Sequence, residues 1–357
     1  MSYLDSKRIV GTNAQRTGSF TNVIGGWKEI GRTTLGSATD KIDVESLTNK
    51  RYYMVLFDHQ GQANTNATIR VRYNNTGNSD NEYAGRWSTN GASDSTYVNE
   101  LSNFIGQHSE DTSPKFRVSY IANLSNKEKL IQGRMVEQNT AGAGTAPNRA
   151  EDAEKWDNAT DAISSIEYDV GAGTNSFNTG SEVVVLGYDP DDTHTDNFWE
   201  ELASVELSST ASEIDSGTFT AKKYLWVQGF ANAVSATDIV LEFNSDTGNN
   251  YARRNSADGG TDTTATSQPH ADMGYGIGSN SHNKFFNSFI INNASNEKLM
   301  INHVMHSGGA GAGNAPSRNE SVTKWANTSD QITQIKFQAI DSSGFGSGSF
   351  IKIWGSN

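Results

Sequence analysis

Cysteine is absent from this chain of 357 residues. Neither a disulfide nor a thiolate metal site can contribute, and the redox compartment stays open. No apolar run approaches the length needed to span a bilayer, and the opening MSYLDSKRIVG lacks the apolar core of a signal peptide. Synthesis and folding in a cytoplasm are therefore expected, with no membrane partner. Basic residues are few: 28 Lys and Arg stand against 41 Asp and Glu, a formal net charge of −13. Without clustered Lys or Arg to meet phosphates, no nucleic-acid partner is expected. Hydrophobic residues are also sparse at 34%, but charge is only 19% and aromatics reach 10%, which argues against a disordered chain. Short alternating runs separated by Gly, Asn and Ser point instead to an all-β protein.

What the chain does contain, it contains twice. The stretch Tyr120 to Ile166 returns without a gap as Phe289 to Ile335. Glu128-Lys129-Leu130 recurs as Glu297-Lys298-Leu299, and Ala141-Gly142-Ala143-Gly144 as Ala310-Gly311-Ala312-Gly313. Arg149, Glu151, Lys155-Trp156, Asn158 and Asp161 recur as Arg318, Glu320, Lys324-Trp325, Asn327 and Asp330. Upstream, the strand-like runs Trp27–Leu35, Arg51–Phe57 and Ile69–Asn74 have partners in Trp199–Leu207, Lys223–Phe230 and Ile239–Asn244. Each leads to turns rich in Asn, Asp and Gly. The expected organisation is an N-terminal arm (1–24), a first β-sandwich (25–188), a polar linker (189–197) and a second β-sandwich (198–357). Both sandwiches are expected to be jelly-roll-like, with roughly eight strands each. Arg149 to Trp156 is the one place where a short helical turn is expected.

Chemical motifs are weak. AGAGTAP and AGAGNAP lack the Gly-Lys-Ser/Thr ending of a phosphate loop. They read as small-residue loops that permit close backbone approach. Of the seven histidines only His303 and His306 are near each other, and their counterparts Arg134 and Glu137 exclude a duplicated zinc site. Asp189, Asp191, Asp192 and Asp196 offer oxygen ligands for calcium, but in a spacing without the EF-hand glycine. No nucleophile elbow or catalytic triad is visible. No catalytic residue, cofactor or metal site is assigned. Trp156 and Trp325 read as core plugs, with Arg149 and Arg318 bonded to loop carbonyls and glutamate. Candidate inter-subunit contacts are Ile9 and Val10 in the arm, with Gly142, Ala143, Gly144, Gly311, Ala312 and Gly313 in the loops.

At these repeats the chain resembles structural proteins of tailed phages and related viruses. In that family a strand carrying Phe-Asn-Gly-Asp-Thr-Gly-x-Asn-Tyr is similar to Phe243–Tyr251 here. A Trp-x-Asn-Thr-Ser-x-x-Ile-Thr-x-Ile signature resembles Trp325–Ile335, and a closing Gly-Ser strand resembles Gly348–Gly355. The first copy departs from the pattern at Tyr73–Gly77 and Trp156–Thr160. The resemblance implies a non-enzymatic virion protein, assembled in the host cytoplasm as a capsid decoration or cement protein. Its partners would be the major capsid protein or other virion proteins. It also implies a homo-oligomer, a trimer by analogy. The alternatives are a carbohydrate- or receptor-binding tail module, with Trp87, Tyr97 and Tyr275 presented from loops, and a cell-surface repeat protein.

Overall fold

A computed structural model describes residues 26–62, 68–75, 81–104, 112–170, 177–192, 196–232, 238–273, 282–340 and 344–357. Among them there is no helix, and hence none long and apolar enough to cross a membrane. The first set of strands is β1 (Lys28–Thr34), β2 (Lys41–Val44), β3 (Tyr52–His59), β4 (Arg70–Tyr73), β5 (Tyr83–Thr89) and β6 (Ser95–Glu100). It continues with β7 (Asn103–Phe104), β8 (Lys115–Ala122), β9 (Lys129–Glu137), β10 (Asn148–Trp156), β11 (Ile166–Asp169) and β12 (Glu182–Tyr188). The second set repeats it: β13 (Glu200–Glu206), β14 (Glu213–Asp215), β15 (Tyr224–Ala231), β16 (Ile239–Phe243), β17 (Tyr251–Ala257) and β18 (Thr263–Gln268). Then follow β19 (Ala271–Asp272), β20 (Lys284–Ile291), β21 (Lys298–His306), β22 (Ser317–Trp325), β23 (Ile335–Ala339) and β24 (Phe350–Ser356).

Each set makes an eight-stranded and a four-stranded sheet. The first pair runs β1-β12-β3-β8-β9-β10-β5-β6 and β2-β11-β4-β7. The second runs β13-β24-β15-β20-β21-β22-β17-β18 and β14-β23-β16-β19, the same order. First and last strands pair antiparallel (β1 with β12), and non-sequential neighbours mark a jelly-roll-like sandwich. The core lies between the sheets. In the first unit Tyr53, Val55, Phe57, Val183 and Val185 of the large sheet meet Ile42, Val44, Val71, Ile166 and Tyr168 of the small one. In the second, Leu225, Val227, Ile351 and Ile353 meet Ile214, Leu241, Ile335 and Phe337. Burying a side chain of this size contributes about 1.5–3 kcal/mol each.

Three expectations need correction. Twelve strands per unit are described, not about eight. The polar stretches after Trp87 and Asn255 contain the edge strands β6 and β18, and the two-residue strands β7 and β19 add to the count. The segment before each plug tryptophan is itself a strand (β10, β22). The helical turn at Arg149–Trp156 is absent. That segment is β10, with Asp152, Glu154 and Trp156 turned inward at every second position. Trp87 and Tyr97 lie on strands β5 and β6 rather than in loops. The ring of Tyr97 fills the space over Gly85, and its hydroxyl donates to Asn103 Oδ1 at 3.2 Å.

The chain divides into two compact units. One comprises Met1–Thr89, Ser93–Met135 and Ala150–Glu200; the other comprises Asn90–Ala92, Val136–Arg149 and Glu201–Asn357. The first AGAG loop and the hairpin tip at Asn90–Ala92 thus fold as part of the second unit.

Candidate functional site

The recurring polar residues are spent on backbone groups. Asn244 Oδ1 accepts from the amides of Thr333 at 2.8 Å and Gln334 at 3.1 Å, while its Nδ2 donates to Gln331 O at 2.8 Å. Asn74 does the same in the first unit with Ser164, Ser165 and Ala162. Asn292 Oδ1 accepts from Ile332 N at 2.7 Å, as Asn123 Oδ1 does from Ile163 N at 2.7 Å. Tyr251 and Tyr83 use their hydroxyls to accept the amides of Phe243 and Tyr73, each at 3.0 Å. Such groups would otherwise be orphaned inside a loop-rich fold.

The tryptophans are core plugs. Trp325 Nε1 donates to Asp246 Oδ2 and Trp156 Nε1 to Glu82 Oε2, both at 2.7 Å. Over each ring sits a buried lysine, Lys298 or Lys129, whose Nζ donates to two carbonyls. Burial lowers the pKa of Lys298 to about 8, against the pull of Asp330 and Glu297. The arginines meet glutamate as expected, Arg318 pairing with Glu320 and Arg149 lying 3.9 Å from it, but the main partner of Arg149 is an aspartate. Arg149 forks onto Asp262, with Nη2 to Oδ1 at 2.8 Å and Nε to Oδ2 at 3.0 Å. It is Arg254 that donates to a loop carbonyl, Pro147 O, at 3.0 Å. Arg318 pairs with Glu320 on the surface.

A buried cluster of ionisable groups, distinct from the more exposed network of Lys41, Asp43, Glu167, Arg72 and Asp169, was missed by sequence reasoning. Inside the first unit Arg117 on β8 forks onto Asp152 on β10, with Nη2 to Oδ1 at 2.8 Å, and its Nε donates to Ser119 Oγ at 2.8 Å. Glu154 lies 3.6 Å from the same guanidinium. Gly133 makes room, since a Cβ there would collide with Arg117 and Asp152. Burial, then the charge of Asp152, pushes the Glu154 carboxyl well above the ordinary range, and Arg117 only partly offsets this. Tyr168 and Tyr73 are raised as well, burial being the first cause in both. Perturbed groups of this kind often mark active sites. Here the side chains of Arg117, Asp152 and Glu154 are all buried between the sheets, so the cluster belongs to the core.

The remaining candidates are dispersed. Ile9 and Val10 lie outside the described residues, as do His108, His194 and Tyr275. Gly142 donates its amide to Glu297, and Ala143 O accepts from Ser267 N at 2.8 Å, both within the second unit; Gly144 is exposed. Gly311, Ala312 and Gly313 are exposed. His303 and His306 fall on opposite faces of β21, and His306 faces His282 with ring centroids 5.4 Å apart. His59 is buried, and burial together with nearby Lys115 keeps it neutral. Asp189 and Asp192 form a turn whose carboxylates meet Arg51 and Lys50. Among the described residues no group of three His, Asp or Glu side chains is placed to hold a metal.

No protein-family model matches the chain, and no curated protein does. Among solved structures it is weakly similar to domains LG4-5 of the mouse laminin alpha1 chain, at 10% identity and a TM-score of 0.20, covering 93% of this chain and 90% of that one. The outer membrane enzyme PagL follows at 7% identity and 0.15, covering 68% and 96%. The attachment invasion locus protein Ail of Yersinia pestis follows at 6% and 0.12, covering 81% and 99%. Likenesses this distant carry no functional argument.

Proposed function

We propose that the chain is a non-enzymatic structural protein of a viral particle, a decoration or cement protein on the capsid exterior. In this reading it works by shape: two rigid sandwiches present loops to the major capsid protein or to further copies, in an assembly that we take to be a trimer. The observation that supports it most is the use made of the shared signature. Asn244, Asp246, Tyr251, Trp325 and Asn327 resemble positions of virion proteins, and each is engaged in hydrogen bonds that fasten its own loop or tie it to a neighbouring one. What the two copies keep in common is thus a scaffold, as expected of a building block. Mass spectrometry of density-purified particles tests the reading, with the intact chain expected at a stoichiometry of many copies per particle. Particles that lack it would refute the assignment. The same preparation, imaged with a labelled antibody, separates capsid from tail.

A further inference from the structure

The second unit displays a docking reaction already completed, and the first unit carries the same docking face uncovered. In the second unit the segment Val136–Arg149 lies over β21, β22 and the β17–β18 edge through a defined set of bonds. Lys324 Nζ donates to the carbonyls of Gln138, at 3.0 Å, and Thr140. Glu297 accepts the amide of Gly142, Ser267 N donates to Ala143 O, and Arg254 donates to Pro147 O. Arg149 closes the set on Asp262.

Every residue of this receiving face has a counterpart on the first unit: Lys155 for Lys324, Glu128 for Glu297, Asn99 for Ser267, Arg86 for Arg254 and Asp94 for Asp262. Asn99 and Ser267 even share the left-handed backbone, at φ 54° and 50°. Exposure separates the two faces. Leu130 is 58% exposed and its counterpart Leu299 1%; Lys155 is 41% exposed and Lys324 0%. Val98 adds a further exposed apolar side chain beside Asn99.

The donor segment is likewise duplicated. In residues 307–318, Ser307, Gly309, Gly311, Ala312 and Pro316 stand at the places of Gln138, Thr140, Gly142, Ala143 and Pro147 with the same main-chain groups to offer, and Arg318 stands for Arg149. Its tip is preformed. Arg318 N donates to Asp258 Oδ1 at 2.8 Å and Asp258 N to Arg318 O at 2.9 Å, as Arg149 and Asn90 do at 3.0 Å each. Yet Arg149 is 8% exposed and Arg318 53%.

We infer that the loop 307–318 of one chain docks on the Asp94–Glu128–Leu130–Lys155 face of a second copy, repeating the contacts of 136–149. The inserted loop and the receiving face belong to different units, so the association is head-to-tail and propagates as a closed ring or an open filament. The choice of occupant follows from identity of chemistry: one cation for Asp94, two carbonyls for Lys155, one amide for Glu128, all in the order in which 307–318 offers them. This deepens the building-block reading and rests on it only for the assumption that copies meet in an assembly.

Because the chain has no cysteine, the contact can be trapped. The 2.8 Å bond between Ser267 N and Ala143 O brings those residues within disulfide range, so Ala143→Cys with Ser267→Cys should lock within one chain at monomer mass. Ala312→Cys with Asn99→Cys in the full-length protein should instead give covalent dimers and higher oligomers that collapse on reduction. If the first pair locks and the second yields monomer alone, the inference is overturned. Sedimentation of the cysteine-free protein gives an independent reading. Arg318→Glu should weaken self-association about tenfold or more, and adding Asp94→Arg should restore it. A wild-type chain that stays monomeric up to its solubility limit also overturns the proposal. Particle composition does not bear on these outcomes, so the virion reading and this one fail separately.

Discussion

At one level of the core the two units fill equivalent space with opposite chemistry. The first has Phe57 on β3, Arg117 on β8, Gly133 on β9 and the pair Asp152 and Glu154 on β10. The second has Gly229, Phe286, Asn302, Ser321 and Thr323 at those places. The aromatic ring has moved one strand over: Phe57 packs on Tyr168 at 4.4 Å, whereas Phe286 packs on Phe337 at 5.0 Å above a glycine that leaves it room. Where the ring vacates β8 a guanidinium enters, and it needs the carboxylates of β10. The second unit replaces that ion cluster by neutral bonds, Ser288 Oγ to Asn302 Oδ1 at 2.7 Å and Asn302 Nδ2 to Ser321 Oγ at 2.9 Å. The fold therefore specifies volume and hydrogen-bond satisfaction at this layer, and leaves charge open.

The comparison breaks most visibly at Arg117. Arg117→Met should strand Asp152 and Glu154 in the core and cost about 3–5 kcal/mol. Phe286→Leu at the equivalent place in the second unit should cost only about 1 kcal/mol by lost packing. Urea titration followed by hydrogen exchange on the first-unit strands checks both size and location. Equal losses at the two sites would mean that the ion cluster is not paired as described.

That cluster also explains where sequence and structure part. The strands Arg51–Phe57 and Lys223–Phe230 are legible because their side chains match their burial. Asp152 and Glu154 invert that code: a charged inward face on β10, with helix-forming residues around it, reads as a surface helix. Strands β6 and β18 are hard to read for the complementary reason, since these edge strands are mostly polar and β6 turns only Tyr97 as a large side chain toward its neighbour. The docking face was half legible. Glu128-Lys129-Leu130 and Glu297-Lys298-Leu299 stand out as a repeat, but identical leucines carry no sign of which one is covered.

Covered and uncovered lysines give the next contrast. Lys324 is buried with Glu297 at 3.7 Å and bonded to two carbonyls, and burial lowers its pKa. Lys324→Ala should cost about 2–3 kcal/mol and expose the amides of residues 138–143 to exchange. Lys155 faces Glu128 in water, so Lys155→Ala in dilute protein should cost no more than about 0.5 kcal/mol. Differential scanning calorimetry of the two variants at one low concentration makes the comparison, and similar losses would show that the segment 136–149 does not depend on Lys324.

The smallest effect, and the one with a sign to test, belongs to Glu154. Its carboxyl titrates in the folded chain well above the ordinary value near 4.5, chiefly because it is buried and then because Asp152 lies beside it. A folded state that holds this proton more tightly than the unfolded chain gains stability that is whole below about pH 4.5. The gain is lost as pH rises from there through the folded-state pKa. Glu154→Gln keeps the shape, cannot ionise and removes that slope. The variant should therefore match wild type in mild acid and exceed it by a margin that grows as pH rises from there and levels off above the folded-state pKa. Thr323, the second-unit counterpart, has no proton to release, so Thr323→Val should shift the melting curve equally at every pH. Melting temperatures measured from mild acid to mild base decide the matter. A Glu154→Gln curve parallel to wild type would mean that the carboxyl is ionised in the fold and that Arg117 neutralises both of its neighbours.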